Sequence, residues 1–139
     1  DKHRHFSHMY GLYPGNVISA RNTPDLVDAC KAVLEQRGDG GTGFSRAWKM
    51  ALWARLYDGN RAARIFEYYI AEQSYPQLFA KCFTPLQIDG TQGVAAGITE
   101  MLIQSQLGEI HLLPALPSAW PSGKVTANAP PMTVVHKTS

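Results

Sequence analysis

Gln87-Ile88-Asp89-Gly90 places a single carboxylate at the mouth of a helix-like run. Leu86 and Ile88 make the approach apolar, and Gly90 permits an unusual backbone angle or the close approach of a ligand. A carboxylate held there suits a general base that takes a proton from water in a hydrolysis. Asp just ahead of a helix is also a common N-cap, and position alone leaves both readings open. The second dense polar cluster is His3-Arg4-His5-Phe6-Ser7-His8. Its spacing departs from the helical HExxH metal pattern and no cysteine joins it, so neither a metal nor a cofactor is expected. His and Arg together offer directional donors to sugar hydroxyls or to an anion. The structural alternative is a loop whose histidines cap neighbouring helices.

Other polar groups read as structure. Glu100 lies within an apolar helical stretch, where an unpaired charge is costly, so a partner such as an Arg is expected. Glu109 opens a strand and is expected to be solvated. Gly40-Gly41-Thr42-Gly43 lacks the Gly-Lys-Ser/Thr ending of a phosphate loop and reads as a tight turn. Arg37-Gly38-Asp39 matches a cell-adhesion tripeptide, but three letters at a helix end read as structure. Trp48, Trp53 and Trp120 could stack on a sugar, although tryptophans on amphipathic helices more often fill a core. Cys30 and Cys82 stand far apart without a CxxC and read as buried free thiols.

These residues need a scaffold. The chain has 139 residues, 45% hydrophobic and 17% charged, which suits one globular core. A net charge of +2, with basic residues scattered, argues against nucleic-acid or membrane-surface binding. No apolar run approaches the roughly 20 residues that span a bilayer. Thr23-Pro24-Asp25 starts a helix, with Thr as N-cap and Pro at the first position, and the helix ends at Arg37-Gly38. Leu26, Ala29, Cys30, Val33 and Leu34 mark its inward side. Further helices are predicted over about 45–57, 61–72 and 91–106, with 74–90 irregular. Ala62, Ile65, Phe66, Tyr69 and Ile70 face inward on the third. A strand is predicted over 109–113, and 125–139 is one more strand or a frayed end. Four amphipathic helices fit a bundle or part of an (α/α) barrel, and helix faces alone do not separate the two.

Several blocks together resemble glycoside hydrolase family 95, the inverting α-L-fucosidases. They are the run from His3 to Gly15, the run from Arg37 to Lys49, Leu52-Trp53-Ala54-Arg55-Leu56, Gln87-Ile88-Asp89-Gly90, Glu109-Ile110-His111-Leu112-Leu113-Pro114, and Trp120-Pro121-Ser122-Gly123. They occur in the family's order over roughly residues 1–126. The resemblance implies a mainly α fold: residues 1–107 would be the last helices of an (α/α)6 catalytic barrel, and 108–139 the exit into an incomplete C-terminal β domain. It implies cleavage of α-L-fucosides, α-1,2-linked ones first, with inversion. Asp89 would be the general base, and Arg4 and His5 would line the fucose pocket. A Glu acid and two asparagines that help orient water would lie before residue 1. The chain therefore reads as a piece of a longer polypeptide, inactive by itself. Its partners would be a fucosylated glycan and the N-terminal remainder of the same polypeptide. The resemblance favours a secreted or periplasmic location.

Two positions depart from the family pattern. Phe83 stands where the family places a pocket histidine, and Thr91-Gln92-Gly93 replaces an Asn-Phe-Gly preference. Both changes are expected to touch the sugar pocket. They admit a related sugar such as an α-L-galactoside, or an inactive carbohydrate-binding homologue, as alternatives. The stretch from Asn128 to Ser139 drifts from the family pattern.

Overall fold

A computed structural model describes residues 3–126 and 133–136. The protein is mainly helical. A 3-10 turn, Ser7–Met9, precedes α1 (Pro24–Arg37), α2 (Gly43–Arg55) and α3 (Gly59–Glu72). A short hairpin of β1 (Ala80–Lys81) and β2 (Leu86–Gln87) leads into α4 (Ile88–Leu102). β3 (Ile103–Gln106), β4 (Glu109–Leu112) and β5 (Thr133–His136) form a second sheet, with β3 and β4 antiparallel and β5 parallel to β4.

α2 is the central element, and Met50, Leu52 and Ala54 along it are fully buried. α4 lies against it through Gly90, Val94, Gly97 and Met101, a stripe of mostly small residues. A Cβ on Gly90 would stand 2.9 Å from the Phe44 amide nitrogen and 2.7 Å from the Ala80 Cβ. Gly90 is therefore helical and serves close helix packing rather than an unusual turn. Gly90→Ala is expected to cost about 1–3 kcal/mol by overpacking. The gain of roughly 1 kcal/mol in helix propensity does not offset it, because the obstructing atoms include α2 backbone. Urea unfolding of the variant checks the sign.

Local expectations meet the packing in instructive ways. Pro24 opens α1 as expected, but the Thr23 side chain does not cap it. Its Oγ1 accepts from the Ser19 amide at 2.9 Å, tying the preceding turn instead. The buried stripe of α1 is Val27, Cys30 and Leu34, while Leu26 and Ala29 face outward. Two apolar stripes overlap in that sequence, and packing selects one. On α3, Ala62, Ile65 and Tyr69 are buried as expected, whereas Ile70 is exposed. Asp58 caps α3, accepting from the Arg61 amide at 2.8 Å, so this helix starts at Gly59 rather than at residue 61.

The fourth helix ends at Leu102, and residues 103–106 are strand rather than helix. Leu107 and Gly108 both have positive φ, the geometry of a tight hairpin turn, and they fold β3 onto β4. Gln104 and Gln106 alternate inward. Gln104 Nε2 donates to the carbonyls of Ala54 (2.9 Å) and Glu100 (3.0 Å). Glu100 has the Arg partner its burial demands: Arg55 Nε and Nη2 donate to its two carboxylate oxygens, the latter at 3.2 Å. Arg55 Nη1 also donates to Gln106 Oε1, so one buried network joins α2, α4 and β3. Glu109 is not simply solvated, because it pairs with Arg21 and lies 3.1 Å from His111 Nε2. Cys30 and Cys82 are free thiols, the first buried. Among the described residues no helix is long and apolar enough to cross a membrane.

Candidate active site

Two helix N-termini converge at one point of the structure. The β1–β2 hairpin delivers the chain into α4 at Ile88, and Gly90 brings that first turn against the start of α2 at Gly43 and Phe44. Gln87 joins the two ends: its Oε1 accepts from the Phe44 amide at 3.1 Å, satisfying an otherwise unpaired donor of α2. Nothing local in the sequence assigns Gln87 this part, since its partner lies far away in the chain.

Asp89 sits in the first turn of α4, and the N-cap position belongs to Gln87. The capping reading of Asp89 is thereby replaced: among the described residues its Oδ1 accepts only from the adjacent Gly90 amide, at 2.9 Å, and the residue is exposed. Negative charge there complements the positive helix end.

The His-rich segment reaches the same place. His5 is half-buried, its ring 5.8 Å from that of Phe44 and its Nδ1 3.5 Å from Ser45 Oγ. Burial lowers its pKa below 6.5, and Arg4 and His3 lower it further, while Asp89 is near enough to raise it. The imidazole is thus neutral at neutral pH, with one nitrogen donating and the other accepting. Folded His5 takes up a proton at lower pH than the unfolded chain does, so its contribution disfavours the fold as pH drops below 6.5. Asp89→Asn is expected to lower the His5 pKa further, because it removes the charge that raises it. The C2 proton shift followed against pH reads this directly; an unmoved titration would mean the two groups are not neighbours.

Arg4 is exposed and makes no hydrogen bond or ion pair among the described residues. His3 faces His5 with rings 5.4 Å apart, whereas His8 lies against Phe6 at 6.0 Å. Among the described residues no group of three His, Cys, Asp or Glu is arranged to hold a metal.

The two departures lie on different elements. Thr91 Oγ1 accepts from the Ala80 amide at 2.8 Å, fastening β1 to α4. Phe83 is 73% exposed with positive φ, in the turn of the hairpin that runs into Asp89. Trp53 is core, whereas Trp48 is half-buried and donates to the Tyr13 carbonyl at 2.9 Å.

Residues 1–102 match the glycosyl hydrolase family 95 catalytic domain, and residues 104–127 match the glycoside hydrolase family 95 C-terminal domain. The chain is similar to "Alpha-L-fucosidase 2" of Arabidopsis thaliana, 42% identical over 134 residues, which is 88% of this chain and 16% of that protein. It is 31% identical over 146 residues to "Probable alpha-fucosidase A" of Aspergillus niger, covering 90% of this chain and 18% of the relative. The Aspergillus oryzae protein of the same name is 30% identical over 148 residues, 90% of this chain and 20% of its own. The chain thus spans between 16% and 20% of the length of these relatives.

Proposed function

Because the chain belongs to glycoside hydrolase family 95, we propose that it forms the closing part of the catalytic unit of an inverting α-L-fucosidase. Residues 1–102 supply the last helices of an (α/α)6 barrel, and the chain from β3 onward begins its β domain. The observation that carries the reading is the meeting of His5 and Asp89, far apart in sequence, at the joined N-termini of α2 and α4.

Inversion needs two carboxyl groups roughly 6.5–9.5 Å apart, leaving room for a water. Asp89 takes the proton of that water as it attacks the anomeric carbon. The acid that protonates the departing oxygen is a Glu contributed from outside these 139 residues, together with two asparagines that orient the water. Neutral His5 and the exposed Arg4 guanidinium hold the sugar hydroxyls. No cofactor enters the scheme. The substrate is an α-1,2-fucosylated oligosaccharide.

The test is sugar release by the full-length polypeptide from such an oligosaccharide, followed by proton NMR. The β anomer of free fucose is expected first. Initial release of the α anomer overturns inversion, and no release from any α-L-fucoside overturns the activity. The exposed Phe83 ring, placed where the family has a polar pocket residue, supports a second reading with α-L-galactosides as substrates. Binding of either sugar without turnover identifies an inactive carbohydrate-binding relative.

A further inference from the structure

At the start of α2, a line of side-chain polar groups runs from Thr42 through Ser45 to His5. Thr42 Oγ1 lies 3.3 Å from Ser45 Oγ, and Ser45 Oγ lies 3.5 Å from His5 Nδ1. Ser45 is fully buried and Thr42 nearly so. Thr42 occupies the N-cap position of α2, yet its side chain accepts from no helix amide. Among the described residues neither hydroxyl hydrogen-bonds any other group. Both contacts are longer than the commonest hydrogen bonds, but burial leaves the hydroxyls no water to turn to instead. Counting protons sets the direction of the line. Each hydroxyl carries one proton, and a buried donor without an acceptor is costly. With a proton on Nδ1, the two links of the line would have to take up three protons, and one hydroxyl would be stranded. With Nδ1 bare, Thr42 donates to Ser45, Ser45 donates to the Nδ1 lone pair, and no buried proton is left over. The neutral ring then carries its own proton on Nε2.

We propose that Ser45, backed by Thr42, is a positioning residue that holds His5 in its Nε2-protonated form, so that His5 donates a hydrogen bond to an oxygen of the bound sugar instead of accepting one. The sugar rests on the hydrolase reading of the site; the placement of the proton does not. Ser45 is too deeply buried to meet the sugar itself, and acts only through the ring. Phe44, its neighbour on α2, packs against the same ring at 5.8 Å. One turn of helix thus sets both where the imidazole lies and which nitrogen bears its proton. A bond donated to Nδ1 belongs to the neutral ring and opposes protonation. It acts alongside burial, Arg4 and His3, which lower the His5 pKa, and against Asp89, which raises it.

Two measurements on the full-length polypeptide test this. In the first, histidine is isotope-labelled and long-range proton–nitrogen correlations of the His5 ring are followed against pH, with His5→Gln identifying the signals. The parent is expected to show Nδ1 bare and Nε2 protonated above the His5 pKa. Ser45→Ala is expected to show a mixture of the two tautomers and a higher His5 pKa. Thr42→Val is expected to keep the parental tautomer, since Ser45 retains its proton and Nδ1 as its acceptor. Should Ser45→Ala fail to fold, Thr42→Val combined with Ser45→Ala strands no hydroxyl and serves for the same comparison. In the second, kcat/KM for an α-1,2-fucosylated oligosaccharide is expected to fall about threefold to tenfold in Ser45→Ala, the worth of one hydrogen bond. A protonated Nδ1 in the parent, or the same tautomer and pKa in parent and Ser45→Ala, overturns the proposal. Spectra that change as expected while kcat/KM stays parental overturn the donation to the sugar. If the spectra are as expected but no sugar is released or bound by the parent, the placement of the proton stands and the hydrolase reading falls.

Discussion

Asp89→Asn in the full-length polypeptide is expected to lower kcat by about 10²–10⁴-fold, the usual contribution of a positioned general base. Stability should hardly move. Asp89 is exposed, and among the described residues it accepts only from the neighbouring Gly90 amide, a bond that the Asn oxygen can still accept. Substitutions at such surface positions generally stay within about 0.5 kcal/mol. A large loss of rate with an unchanged Tm therefore separates chemistry from folding. Azide sharpens the test, because it attacks the anomeric carbon without a proton having to be removed. The variant supplied with azide is expected to recover turnover and to form the β-fucosyl azide, the leaving oxygen being protonated as before. A variant with parental kcat would mean that Asp89 is a surface residue of α4 and that the base lies elsewhere.

Arg55→Met is expected to destabilise the protein by about 3–5 kcal/mol, since it strands a buried carboxylate. The side chains of Arg55 and Glu100 are 8% and 16% exposed, so water screens the pair poorly. The substitution also deprives Gln106 Oε1 of its donor. Arg55→Met combined with Glu100→Leu should regain most of the loss, because the uncompensated charge is then gone. The orphaned Gln106 oxygen leaves a residue of about 1–3 kcal/mol. Urea unfolding of both variants measures the difference. A single-variant loss below about 1 kcal/mol would show that the pair behaves like an exposed surface bridge.

The network also shows where sequence reasoning reaches its range. The apolar setting of Glu100 announces that a partner is needed, and an Arg is the natural choice, yet no local rule selects Arg55 from the basic residues available. Likewise, 91–106 carries enough apolar residues to read as one helix. The break at Leu102 comes from elsewhere: β4 offers a paired edge, and Gln104 and Gln106 find buried partners only in a strand's alternation. Asp89 and Gly90 were legible as unusual, but the hairpin in front of them moves the helix start back to Ile88 and turns the supposed cap into a first-turn carboxylate. Thr91 also has a part that its sequence neighbours do not announce: its hydroxyl holds β1.

What the sequence determined by itself is what depends on neighbours within a turn or two: helical periodicity, the proline start of α1, the ordered blocks that mark family 95, and the residue types able to do the chemistry. Tertiary structure alone decided which apolar stripe of α1 is buried, that Gln87 completes the end of α2, and that His5 reaches the electrostatic range of Asp89. Helix propensity is written in short-range geometry, whereas hydrogen-bond partners, close backbone approaches and summed charge belong to groups that only the folded chain brings together.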